Sequence, residues 1–346
     1  MTTTPMTGRN RLPRYTRTQA DVSLALTERD LRILKTVESY RLLTSEHVQA
    51  LTPGSSQGIL RRLQKLFHAG CLDRLRPRFA ENGGSQKMVY AITNKGVAIL
   101  QKEGVLKEVS TTDRNAQNRD LHEPFIRHRL LVSHIRAMFL LACQVKPKPN
   151  SKASSNSSSA PTPVLEFLFW REGREIQDTI EVALPQKYAR LPVAADGFFG
   201  LRDAQGRRSH FFVEADRGTM TLERFTLKLK AYAAYYASKK HTDKFGIQKF
   251  RVLTVTSTEA RCRNLVAAAQ AAENVRQDGR LFLFATQEDL PLSSPESVLT
   301  KIWTVPGSQE RCSLLGQAPS KNPAPKENNT PMPCTPNAHT EVSHGP

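Results

Sequence analysis

The stretch 194-AADGFFGLRDAQGRRSHFFVEADRGTMTLERFTLKLKAYAAYY-236 decides how this chain is read. It divides into a strand, a short turn, a second strand and a helix. Side chains alternate along a strand, so Phe211, Val213 and Ala215 face one way and Phe212, Glu214 and Asp216 the other. The turn Asp203-Ala204-Gln205-Gly206-Arg207 centres near Gln205. Symmetric pairing around it sets Asp196 opposite Glu214, to within a residue. Carboxylates gathered this closely repel, and need a divalent cation, basic neighbours or raised pKa values. Hard oxygen donors suit Mg2+ or Mn2+. Such a metal activates water and stabilises a phosphodiester transition state. Asp196, Glu214 and Asp216 are therefore candidate metal ligands and catalytic groups. The competing account is structural: Asp196-Gly197 as a bulge, with Glu214 and Asp216 paired to Arg207 or Arg217.

On the helix that follows, Leu222, Phe225, Leu229, Tyr232 and Tyr236 define a buried face. Lys228 lies at its border and Lys230 points away. The tyrosines follow core spacing, which argues against a tyrosine relaxase.

Upstream, Thr27 and Asp30 predict a helix start, with Leu31, Ile33, Leu34 and Val37 at helical spacing. Thr44-Ser45-Glu46 opens a short second helix, and a third runs from about Ser56 to Ala69. Ile59, Leu60, Leu63, Leu66 and Phe67 make one face of it; Gln57, Arg61, Gln64, Lys65 and His68 fall opposite. Gly70 ends it. Two short strands, Leu72–Leu75 and Met88–Ile92, flank a glycine-rich turn at 82–84, and Thr93 caps a further helix. This order is the winged form of helix-turn-helix. Its third helix fits the major groove, where Arg and Gln read base edges. Gln57, Arg61, Gln64 and Lys65 are the expected readers. Arg62, Arg76, Arg78 and Lys87 are expected on phosphates. No Asp or Glu occurs from Gly54 to Leu72, unlike a merely solvated face. A winged helix that binds protein is the alternative.

The rest of the chain fits this frame. Residues 1–25 read as a disordered basic arm, 26–104 as the winged helix and 105–120 as a linker. Residues 121–305 read as an α/β domain with mixed strand directions and a flexible insertion at 147–163; 306–346 read as a disordered tail. A long helix from His122 to about Gln144 carries His122, His128 and His134 six apart. That spacing fans them by about 120° each, so they cannot converge on one metal. The 346 residues carry a net charge of +18, which favours an anionic partner, here double-stranded DNA. No apolar run suffices for a membrane span and no secretory signal is present. The five scattered cysteines read as reduced thiols in a cytoplasm. Walker, G-x-G-x-x-G and G-x-S-x-G motifs are absent.

An acid on one hairpin strand, an acidic pair on the next and a helix behind resemble the PD-(D/E)xK nuclease fold, a restriction-endonuclease-like mixed sheet. In that family an Asp is followed by Glu-x-Lys. Here Asp196 and Glu214 match, and Asp216 stands where the lysine belongs. Some members carry the lysine on the following helix, which implies Lys228 for that role, with Arg217 second. The whole layout resembles the replication-relaxation family of plasmids and integrative elements, over about residues 26–240. The matching segments are LTERDLRIL (26–34), RRLQKLFHAGCLDRL (61–75), VYAITNKGVAIL (89–100), the His-rich helix after His122 and the DGFF…FFVEADRGT…KLKAY core. The resemblance implies a role in replication, relaxation or mobilisation, with replication or mobilisation proteins as partners; the acid hairpin adds Mg2+ as the expected cofactor for nicking. The alternative is a regulator whose nuclease-like domain has lost catalysis and serves as a platform or homodimer surface.

Overall fold

Helix α1, Glu28–Tyr40, begins with a reciprocal cap: the Thr27 side chain accepts from Asp30 N–H, and Asp30 accepts from Thr27 N–H at 2.7 Å. The computed structural model describes residues 14–17, 25–76, 87–107, 112–145, 165–272 and 279–315. Helices α2, Ser45–Leu51, and α3, Ser56–His68, follow, then β2, Leu72–Leu75, β3, Val89–Ile92, and α4, Asn94–Lys102. The short strand β1, Leu43–Thr44, joins β3 and β2 in an antiparallel sheet of order β1-β3-β2. Ile33, Leu34, Val37, Ile59, Leu63 and Leu66 bury against this sheet to form the N-terminal core. The expected turn at 82–84, Arg78, most of the 1–25 arm, the 147–163 insertion and the tail beyond 315 lie outside the described residues.

The expected linker is not wholly one. Helix α5, Arg114–Arg119, buries Asn118, whose amide donates to Asp73 at 2.7 Å and to the Ile92 carbonyl at 2.9 Å. Helix α6, Glu123–Gln144, then serves both halves of the chain. Its Ser133 hydroxyl donates to the Tyr40 carbonyl at 3.2 Å, and its Ala137 belongs to the N-terminal core. The segment is polar because it works through hydrogen bonds, which apolar periodicity does not reveal.

Beyond α6 the fold is α/β. Strands β4, Leu165–Arg171, β7, Gly197–Asp203, β8, Arg208–Asp216, β9, Arg251–Thr256, and β10, Phe282–Thr286, form one sheet of order β10-β9-β8-β7-β4. β4, β7 and β8 run antiparallel; β8, β9 and β10 run parallel. The parallel crossovers are α7, Leu222–Ala237, followed by the short α8, Lys240–Phe245, and α9, Glu259–Ala271. Phe199 faces α6, where Phe139 lies 4.5 Å away by ring centroids, and Phe212 faces α7, with Tyr232 at 5.8 Å. The strand alternation thus supplies the cores of both sheet faces.

A separate hairpin, β5, Asp178–Leu184, with β6, Lys187–Val193, packs on α7. Its second strand, which carries Pro192 near its end, was not anticipated. The tail also begins later than 306: Cys312 pairs with Trp303, and Leu314 is buried. Cys71, Cys143, Cys262 and Cys312 are free thiols. Among the described residues no helix is long and apolar enough to cross a membrane.

Candidate functional site

Helix α3 starts at Ser55, whose hydroxyl accepts from Gly58 N–H at 3.2 Å. It ends before Gly70, whose φ of 75° suits glycine. Gln57, Arg61 and Lys65 are exposed and Gln64 is half-buried. Among the described residues Arg61 and Lys65 make no ion pair. Two neighbours depart from expectation. Leu60 is exposed, because the buried stripe of Ile59, Leu63, Leu66 and Phe67 leaves it on the rim. His68 is buried beside Phe67, Arg74 and Arg17.

Arg62 is not placed to meet a phosphate. Its Nε donates to Asp30 Oδ1 at 2.5 Å and a terminal nitrogen donates to Oδ2. Asp30 is fully buried, so this guanidinium is committed to neutralising it. Lys87 shares its charge with Glu46 at 2.7 Å. Arg76 is exposed, its guanidinium 5.6 Å from the Tyr15 ring centroid. Arg17 of the expected free arm is anchored: it donates to the carbonyls of Phe67, at 3.1 Å, and Leu72, at 3.0 Å, and pairs with Asp73.

The acid site is built by the β7–β8 register. Gly197 pairs with Val213, and Asp196 N–H donates to the Val213 carbonyl at 2.9 Å, so Asp196 lies opposite Glu214. Gly197 permits this: a Cβ there would sit 2.4 Å from Trp170 Cζ2. The two carboxylates line a cavity of 790 Å³ together with Arg127 and His128 of α6 and Lys228 of α7.

Glu214 is 5% exposed. Lys228 Nζ donates to its Oε2 and the Tyr232 hydroxyl to its Oε1. Burial pushes the Glu214 carboxyl up to about 7, against the pull of the Lys228 charge. Burial also disfavours the Lys228 ammonium, but Glu214 and Asp196 together hold its pKa above the ordinary lysine value. Burial and the nearby acid keep the Tyr232 hydroxyl protonated, hence a donor. Asp196 Oδ2 accepts from Ala215 N–H at 2.8 Å, and Oδ1 contacts His128 Nε2 at 3.1 Å. Burial raises the Asp196 pKa, but the His128 hydrogen bond and charge outweigh it and leave the carboxyl below its ordinary range. The same contact holds the His128 pKa above its ordinary value.

Asp216 lines the same cavity, but its carboxylate is held from the α9 side. Arg261 of α9 grips it with two nitrogens, at 2.8 and 3.1 Å, while Thr256 and Gly218 N–H also donate to Oδ2. Its charge is thereby met, so the expected three-carboxylate set reduces to Asp196 and Glu214. Among the described residues no three His, Cys, Asp or Glu side chains are grouped to hold a metal ion. Two carboxylates beside an open cavity still fit Mg2+, which keeps several waters and uses one or two carboxylates.

Two participants were missed in the sequence. His128 was one of three fanned histidines; the fan holds, since His134 instead meets His47 at 3.1 Å and the Leu290 carbonyl at 2.7 Å. Tyr232 was read as core, and it is buried, but a buried tyrosine hydroxyl needs a partner. That requirement was the available signal.

No curated protein and no solved structure gives a significant match to the chain. A family model described as replication-relaxation matches residues 34–249. Because that match spans well over half of the chain and takes in α3, His128 and the Asp196–Lys228 pocket together, the protein belongs to the replication-relaxation family.

Proposed function

We propose that the protein binds double-stranded DNA of a plasmid or integrative element through a winged helix at residues 26–104 and nicks it with Mg2+ at the Asp196–Glu214–Lys228 pocket. The observation that carries the second half is Lys228 on Glu214, with Asp196 opposite in register, at the edge of one cavity. In this reading Asp196 and Glu214 hold the ion. Bound there, Mg2+ supplies an activated water and charge stabilisation at the phosphodiester. Lys228 favours the ionised form of Glu214 and offers its ammonium to the charge that builds on the phosphate oxygens. Tyr232 fixes the Glu214 rotamer, and His128 fixes that of Asp196.

Nicking of supercoiled plasmid in Mg2+ tests this. Glu214→Ala is expected to lose at least about 100-fold in rate, the scale of removing one group preorganised for the transition state. At subsaturating Mg2+, wild-type cleavage is expected to rise about tenfold per pH unit below the metal-free Glu214 pKa of about 7 and to level above it. Equal rates in wild type and variant, or no cleavage by protein bound to the plasmid, would sink the nuclease assignment. The second outcome favours a non-enzymatic replication or transcription regulator with a closed acid site. That reading has its own support in Asp216, which is bound to Arg261 where the nuclease resemblance wants a lysine.

DNA contact rests on the exposed Arg61 and Lys65. Arg61→Ala should cost about 1–3 kcal/mol and relax sequence preference, as loss of a bidentate base contact does. Lys65→Ala should lower the slope of log K against log salt by about one. Unchanged affinity in both variants, measured by fluorescence anisotropy across a salt series, removes α3 as the reading helix.

A further inference from the structure

The acid pocket sits at the carboxyl end of β8. A second cavity, of 450 Å³, opens at the amino ends of the same parallel strands. Arg208 begins β8, Arg251 begins β9 and Arg280 lies two residues before β10. The register pairs Phe211 with Arg251 and Phe282 with Val252, which brings these starts to one end of the sheet. Lys249 adds a fourth cation. From Arg208 to Glu214 the strand rises roughly 20 Å, so the two cavities are distinct places on the fold.

The charge here is one-sided. No Asp or Glu lines the cavity, and among the described residues none of the four cations has a carboxylate partner. Arg251 is half-buried and donates to the Leu314 carbonyl at 2.5 Å. Burial depresses its pKa and the neighbouring Arg280 charge adds to the fall. Like charges held together at a concave, partly dry surface create a strong positive potential, which an anion relieves.

One wall is aromatic. Half-buried Tyr236 lines the cavity, and Phe250, 3% exposed, packs edge to face behind it with ring centroids 5.3 Å apart. His241 stacks on Tyr236 at 5.4 Å and braces it from behind the lining. Cations beside a rigid aromatic surface are the pairing that binds a phosphate together with its base.

We propose that this cavity binds a nucleoside phosphate, with the phosphate held by Arg208, Lys249, Arg251 and Arg280 and the base laid against Tyr236, which Phe250 backs. The ligand is either a free mononucleotide or the phosphorylated end of a DNA strand, since both present the same group.

Calorimetric titration of the full chain at low salt separates these cases. The probes are inorganic phosphate, adenosine 5′-monophosphate and a 5′-phosphorylated thymidine dinucleotide. One nucleotide probe should bind at least tenfold more tightly than inorganic phosphate. Preference for the monophosphate identifies a free nucleotide, and preference for the dinucleotide identifies a strand end. The double variant Arg208→Glu/Arg280→Glu should weaken binding at least tenfold. Both residues are exposed, and an unchanged urea midpoint confirms that the variant folds. Tyr236→Ala should reduce nucleotide affinity towards that of inorganic phosphate. Absence of binding by every probe, or equal affinity in wild type and the arginine variant, overturns the proposal. Inorganic phosphate binding as tightly as either nucleotide overturns the aromatic part. None of these outcomes depends on nicking.

Discussion

Arg62→Ala is expected to destabilise the fold by about 3–5 kcal/mol, the scale for stranding one partner of a buried ion pair. Asp30 is 0% exposed, and its two oxygens take the Arg62 fork and the Thr27 cap. Remove the fork and the carboxylate keeps only the cap, with no counter-charge. The exposed pair Arg32–Glu28 on the same helix should by contrast contribute under about 1 kcal/mol. The pH dependence distinguishes the two. Burial alone would raise the Asp30 pKa, but Arg62 and Thr27 outweigh it and hold it below 3.8. The contribution is therefore complete above the ordinary aspartate range and is lost as pH falls through the depressed folded value. Urea denaturation of wild type and variant should diverge most at neutral pH and converge in acid. A difference under about 1 kcal/mol at pH 7 would show that Thr27 alone satisfies Asp30. Any loss of DNA binding in this variant should then track unfolding, not a missing phosphate contact.

This residue also marks the limit of reading function from residue type. Arg62 sits beside Arg61 on a helix without acids, and sequence alone puts both on DNA, Arg61 on base edges and Arg62 on phosphates. The acid that claims Arg62 lies 32 residues away in α1. The β7–β8 hairpin was legible for the opposite reason: its turn, its alternation and its acids are local, so the register of Asp196 against Glu214 follows from counting. Lys228 was legible too, being one helical segment away from β8. His128 and Arg261 come from helices distant in sequence, and their partners are fixed by how α6 and α9 cross the sheet. Strand β6 escaped because Pro192 and its exposed charged positions imitate a loop.

Lys228→Met shows how tightly the acid site depends on one cation, and its expected signature is a pH-dependent loss of stability. In the wild type the Glu214 pKa is about 7, against an ordinary value of 4.5. Folding therefore penalises the ionised form, and the penalty grows from pH 4.5 to about 7 and then levels. Without the ammonium, burial acts unopposed except by the Tyr232 hydroxyl, and the folded pKa moves higher. Below pH 7 both proteins protonate Glu214 on folding, so its titration adds nothing to their difference. Above pH 7 only the variant still accumulates penalty, and the gap should widen by about 1.4 kcal/mol per pH unit until its own pKa is reached. Urea midpoints at pH 6, 7, 8 and 9 measure this directly; parallel curves across that range would mean that Lys228 does not set the charge of Glu214. The same shift raises the neutral fraction of Glu214 at pH 7.5, and a neutral carboxyl is a poor ligand for a hard cation. If the acid pocket nicks DNA, Lys228→Met should abolish cleavage at pH 7.5 and recover part of it at pH 9. Glu214→Ala should recover nothing. That recovery with rising pH is what separates a lysine that holds the acid in its working charge state from one that merely fills space.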